Sequence, residues 1–336
     1  MSTAGAAGRA FLLLAAMAPL AACGPAPGAR APCQAQILPE SGPLAAASVK
    51  RLLLVDATRA ASRIVAVGDH GYIVLSDDGG ASWRRATAPE VPLLTAVDFV
   101  DAKHGWAVGH DEVVLATADG GETWTKRFSA PAEHRPFLDV IFLDAQRGIA
   151  VGAYGAYYES ADGGRTWAAR KIIPEDSHFN AILRVAGPRL LIFGEAGTLL
   201  ASPDEGRTWV RDPSPYKGSL FGGVVAGDGA IVAFGLRGKI FRSSDGGDIW
   251  DAVANASTAT LMGGSRLPDG TLVLVGGAGT VLVSRDDGRS FSLAGSAESA
   301  RVYSAAIPGP RGEALVLGDS GARALAFAPA RDAAAR

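Results

Sequence analysis

The stretch SDDGGASW, Ser76–Trp83, packs two adjacent carboxylates, two glycines, a hydroxyl and a tryptophan into eight residues. It recurs as TADGGETW (Thr117–Trp124), SADGGRTW (Ser160–Trp167) and SPDEGRTW (Ser202–Trp209). Weaker copies follow as SSDGGDIW (Ser243–Trp250) and SRDDGRSF (Ser284–Phe291). The terminal aromatics lie 41, 43, 42, 41 and 41 residues apart. A fixed period of this length is the mark of a propeller or a solenoid, and it governs the reading of every local feature.

Each unit has the same interior. A β-rich run, a Gly, two variable residues, usually a second Gly and another run precede the octet, as in IVAVGDHGYIVLS and LIFGEAGTLLAS. Short Val-, Ile- and Leu-rich runs joined this tightly read as hairpin strands. A further strand precedes each pair, such as Leu94–Val100, and a last one begins at the octet's aromatic. ALVLGDSGARALAF makes a seventh unit without an octet. Four strands in each of seven units predict an all-β fold, a seven-bladed β-propeller of four-stranded blades. A segment near Cys33–Leu38 is expected to supply the outer strand that the seventh unit lacks.

The octet resembles the Asp-box, S-x-D-x-G-x-T-W, also called the BNR repeat. One box per blade after a G-(W/I)-A-V-G strand resembles the photosystem II assembly/stability factor family, over about residues 49–328. That resemblance implies a propeller that helps to build or stabilise a membrane complex, and it implies no cofactor. A fold alone does not fix an activity.

Within the box, Asp78, Asp119, Asp162 and Asp204 are placed to accept hydrogen bonds from amides of the turn between third and fourth strands. Asp245 and Asp286 hold the same place in the weaker copies. Gly80, Gly121, Gly164 and Gly206 give the turn its backbone freedom. Trp83, Trp124, Trp167, Trp209 and Trp250 offer apolar faces to pack between blades. A calcium loop of the EF-hand kind needs oxygen ligands at alternating positions and a bidentate Glu at position twelve. The boxes lack the later ligands, so they are read as structural, with no metal. A repeated motif is also a poor catalytic site, because catalysis needs one asymmetric constellation.

The chain has 336 residues, 48% of them hydrophobic, 43 glycines and a formal charge of −2. Its near-neutral balance excludes the basic character of a nucleic-acid-binding domain. Arg9 precedes an apolar run of twelve residues, Phe11–Ala22, too short for a membrane span of about 20 residues and right for a secretory signal. The run ends in Leu20-Ala21-Ala22-Cys23, which resembles the lipobox of bacterial lipoproteins. The expected organisation is a signal peptide over 1–22, a lipidated Cys23 with a flexible tether over 23–34, one propeller over 35–330 and a tail over 331–336. Gly24 after the Cys implies the outer membrane, and the expected location is the periplasmic side of the cell envelope.

With boxes on one face of the propeller, the second-to-third-strand turns and the inter-blade linkers fall on the other. These bring Asp69, His70, His110, Asp111, His134, His178, Glu195 and Arg237 to one candidate ligand face. The four histidines have no close ligand spacing, so a general contact face is the better reading than a metal site. Outer strands carry Arg84, Arg85, Lys126, Arg127, Arg170, Lys171 and Arg211, a basic arc confined to the first four units. Lys and Arg on edge strands discourage edge-to-edge pairing; the functional alternative is a docking stripe for an acidic partner or an anionic membrane.

A sialidase would need a Tyr nucleophile with a Glu partner and an arginine triad. The nearest Arg-Ile-Pro-like element is Arg63-Ile64-Val65, inside a strand and without Pro, and Tyr157 and Tyr158 lie within a strand. The sequence therefore points to a monomeric, non-catalytic exported scaffold. It would bind a membrane or envelope protein complex, with the membrane reached through lipid. A carbohydrate-active hydrolase, sialidase- or xyloglucanase-like, is the alternative.

Overall fold

The computed structural model describes residues 41–294 and 301–327. The expected signal peptide, Cys23, the tether, the Cys33–Leu38 strand and the tail at 331–336 lie outside them. The described residues form a seven-bladed propeller of antiparallel sheets. Blade one comprises an inner strand Leu54–Ala60, a second strand Arg63–Gly68, a third Ile73–Ser76 and an outer strand Trp83–Arg85. Blades two to six repeat that order, with inner strands starting at Leu94, Phe137, Phe179, Leu220 and Leu261. Blade seven has three described strands, Tyr303–Pro308, Ala314–Gly318 and Gly321–Leu325.

A short strand, Gly42–Leu44, pairs antiparallel with the outer strand of blade one and makes that sheet five-stranded. The first described segment thus extends blade one. A helical turn, Ala46–Val49, then leads towards Leu54, and Gly321 donates its N–H to Leu52 O at the junction of blades seven and one.

Apart from Arg63 at the start of the first, the second strands are apolar and fully buried, because both their faces pack against neighbouring blades. Each ends in a Gly for a reason of space rather than dihedral angle. A Cβ on Gly68 would lie 2.0 Å from Leu53 O in the incoming linker. The inner strand of every blade has a register irregularity after its first residue, as between Leu54 and Asp56.

The box aromatics pack on the preceding blade. Trp83 lies with Ala305, Ile307, Leu315 and Leu317 of blade seven, and Trp124 with Val65, Val67 and Leu75 of blade one. Outer strands are short, down to two residues in blades three to six. Box turns and inner hairpins share one face; the second-to-third-strand turns and the linkers share the other.

Candidate functional site

Each box is a closed hydrogen-bond unit. Asp78 Oδ1 accepts from Ser76 Oγ at 2.8 Å and from Ser82 N at 2.8 Å, while Oδ2 accepts from Ser82 Oγ at 2.6 Å. Ser76 Oγ accepts from Gly80 N, and Trp83 Nε1 donates to Gly80 O. Asp119, Asp162 and Asp204 repeat the pattern with Thr123, Thr166 and Thr208; Asp286 repeats it with Ser290. In blade five Ile249 replaces the hydroxyl residue, and Asp245 accepts only from Ser243 Oγ and backbone amides. These donors hold Asp78 and Asp162 down at a pKa of about 2. The lone pairs that a cation would need are thus occupied by the turn itself.

Blade four departs from the pattern. Trp209 Nε1 donates to Tyr157 OH of blade three at 3.0 Å, and Arg170 Nη2 supplies the bond to Gly206 O instead. Arg170 also meets Glu159 at 2.8 Å. This rim arginine is therefore built into the seam between blades three and four.

Much of the basic arc is neutralised within the chain. Arg84 grips Glu122 of the blade-two box with both terminal nitrogens, and Arg85 lies over the Tyr72 ring at 4.5 Å. Lys171 pairs with Asp176 at 3.2 Å and Arg211 with Glu175 at 3.0 Å. Lys126 and Arg127 are exposed and have no ion pair among the described residues.

On the opposite face, the turns of blades one to six each hold a non-glycine residue in a left-handed conformation. His70 (φ 54°), Asp111 (59°), Tyr154 (54°), Ala196 (51°), Arg237 (60°) and Ala278 (53°) occupy equivalent places in blades one to six. His70 pairs with its neighbour Asp69 at 3.0 Å. His178 is buried: its Nδ1 accepts from Tyr154 N, Glu195 Oε1 lies 3.1 Å from that nitrogen, and its backbone N–H donates to Glu195. Burial lowers the His178 pKa, partly countered by Glu195. His70 lies in the turn of blade one, His110 and His134 in the turn of blade two and the linker packed on it, and His178 in the linker between blades three and four. Among the described residues no three His, Cys, Asp or Glu side chains converge.

Two polar groupings escape the sequence reading. In blades one and three to six Gly follows that residue, and blade seven has Gly321 at the same place; blade two places Glu112 there, at φ 50° and fully buried. Glu112 accepts from Arg135 Nε at 2.9 Å and from Tyr158 OH at 3.0 Å. Burial raises the Glu112 pKa and pushes the Tyr158 phenol up to about 12. A nucleophilic phenol needs the reverse shift. The interruption of G-x-x-G to G-H-D-E was the signal that marked this place.

The second grouping lines the axis. Inner strands turn a free edge to the channel, and backbone groups there need partners. Asp56 accepts from Val97 N of the next blade, Asp98 from Phe142 N, and Asp139 from Ile182 N. Asn180 Nδ2 donates to Leu220 O, Thr95 Oγ1 to Phe137 O, and Ser304 Oγ to Leu54 O. These side chains staple neighbouring inner strands together. Desolvation raises Asp56 to about 6 and Asp139 to about 8, the latter reinforced by the charges of Asp56 and Asp98. The three acids keep some exposure on the channel wall, so channel water moderates the effect.

Several comparisons meet on this architecture. The profile of the family described as "Photosynthesis system II assembly factor YCF48" matches residues 81–137 and 130–275, more than half of the chain. A "Photosystem II stability/assembly factor HCF136, chloroplastic" from Cyanidioschyzon merolae is 40% identical over 62 residues, 18% of this chain and 14% of that protein. A "Photosystem II assembly lipoprotein Ycf48" from Synechococcus sp. is 35% identical over 66 residues, 18% of this chain and 20% of that protein. The alignments thus span a fifth or less of either relative's length.

Among solved structures, "YCF48 bound to D1 peptide" superposes with a TM-score of 0.66 at 19% identity, covering 85% of this chain and 96% of that one. A GH74 xyloglucanase from Xanthomonas campestris also reaches 0.66, at 14% identity, over 84% of this chain and 53% of that one. At such identities both likenesses are of fold alone. It is the family profile, running from the end of the blade-one box into the second strand of blade six, that assigns the lineage: the chain belongs to the photosynthesis system II assembly factor YCF48 family.

Proposed function

We propose that this protein is a non-catalytic, exported scaffold, lipid-anchored through Cys23 on the periplasmic side of the outer membrane, that binds a membrane protein complex. The supporting observation is how the polar groups are used. Box acids, axial acids and most of the rim cations are consumed in holding blades together, and both buried tyrosines beside carboxylates have raised pKa values. What is left for function is surface: the ring of left-handed turn residues and the unpaired part of the rim. A relative whose name includes "assembly lipoprotein" supports the anchor, and a fold neighbour whose title includes "bound to D1 peptide" supports polypeptide binding. The complex is photosystem II in a photosynthetic host and another envelope assembly elsewhere.

Affinity capture from detergent-solubilised membranes of the native organism tests the reading; recovery of an integral membrane protein is expected. The hydrolase alternative predicts turnover on a glycoside panel that a single turn-face carboxylate variant abolishes. That result would replace the scaffold reading.

A further inference from the structure

Seams between blades share a design on the box face. Where blade one meets blade two, Arg63 and Arg84 close on Glu122 of the next box, at 2.8 Å and 2.6 Å. Between blades three and four Arg147 meets Glu205 at 2.7 Å, and between four and five Arg189 meets Asp248 at 2.6 Å. Between blades five and six the signs are exchanged, and Asp228 holds Arg289 at 2.8 Å beside Arg242. Each of these four seams is closed by a carboxylate–guanidinium pair that crosses between the blades.

The seam between blades two and three lacks it. His104 stands at the place, at the entry to the second strand, that Arg63, Arg147 and Arg189 occupy in their blades, and Arg165 stands at the box position of Glu122 and Asp248. Arg127 projects from the bulge in the outer strand of blade two. Around them lies a hollow of about 190 Å³, lined also by Trp106, Gln146 and Asp162.

The acids in reach are already engaged. Asp101 holds His104 Nδ1 at 2.8 Å, Asp144 holds Arg147, and Asp162 accepts from Ser160, Arg165 N and Thr166 in its own box. Asp162 keeps its charge and opposes an incoming anion, but four donors already share that charge. Arg127 and Arg165 are exposed, and among the described residues neither has a carboxylate partner.

We propose that this hollow is a docking subsite for an acidic side chain, Asp or Glu, of a bound protein, which completes from outside the ion pair that those four seams make from within. The ligand class follows from the repeat itself: in those four seams a carboxylate of the chain meets the guanidinium groups. The inference deepens the scaffold reading, and rests on it, by naming one contact of the partner.

The test uses the full chain and a hexaglutamate peptide, with inorganic phosphate and hexalysine as separate arms, followed by NMR shifts of the Trp106 indole and neighbouring amides. The expected result is a saturable shift with hexaglutamate that fades with salt. It should weaken about fivefold in Arg127→Gln/Arg165→Gln, the upper range for an exposed ion pair. Arg165→Glu puts a carboxylate where Glu122 stands in its own seam; it should abolish the shift and leave melting temperature unchanged or higher. Equal binding by the double variant, shifts confined to other blades, or phosphate binding as tightly as the peptide would each overturn the proposal. Membrane capture separates the two levels. Undiminished capture by the double variant overturns the subsite and spares the scaffold, whereas failure of the wild type overturns the scaffold while the peptide titration still reads the hollow.

Discussion

Asp119 illustrates how one box side chain holds its turn. Its Oδ1 accepts from Thr117 Oγ1 and Thr123 N, and its Oδ2 from Thr123 Oγ1. Substitution by Ala leaves those donors to solvent or to nothing, and frees the turn that presents Trp124 to blade one. Asp119→Ala should destabilise by about 1 kcal/mol, since the group is partly solvated and each hydrogen bond contributes modestly. Chemical denaturation with an unchanged m-value would check it. At this scale the boxes were legible because their spacing repeats. Glu112 was not, because a single departure from G-x-x-G carries meaning only once the turn is known to need a left-handed backbone. Asp56, Asp98 and Asp139 were hidden for another reason: sequence shows an acid within a strand, but not that its carboxylate reaches the amide of a strand some forty residues on.

At the level of strands, protection should follow layer. Second strands such as Ile231–Gly235 are wholly buried, whereas the outer strands Ala168–Ala169 and Val210–Arg211 are exposed pairs of residues. Hydrogen exchange should therefore be slowest in the second strands of all seven blades and fastest in the outer strands. Equal protection across a blade would contradict this layering. Strand order, blade number and the place of the boxes could be read from periodicity, because alternation and turn chemistry are local. The pairing of Gly42–Leu44 with blade one could not. Three residues carry no pattern, and the pairing is decided by which sheet edge the incoming segment meets.

For the whole molecule, two sets of acids pull stability in opposite directions with pH. Asp56 and Asp139 have folded pKa values of about 6 and about 8, above the ordinary carboxylate value near 3.9. The folded state therefore binds more protons than the unfolded chain between those limits, and stability falls as pH rises from about 4 to about 8. Asp78, Asp101 and Asp144, held at about 2, act the other way, so that stability is lost as pH falls from about 4 towards 2. For these groups maximum stability should lie near pH 4. Asp139→Asn keeps an acceptor for Ile182 N without the charge, and should flatten the alkaline limb in thermal melts at pH 5 to 8. A wild-type melting temperature that rises across that interval would contradict the axial assignment.

The most direct test of the scaffold account is capture by the tagged, full-length protein from solubilised membranes of its own host, at low and at high salt. The account predicts recovery of one integral membrane complex that is reduced by salt and weakened in Arg127→Gln/Arg165→Gln, with no glycan turned over. Recovery of no membrane protein, together with hydrolysis of a glycoside, would contradict it.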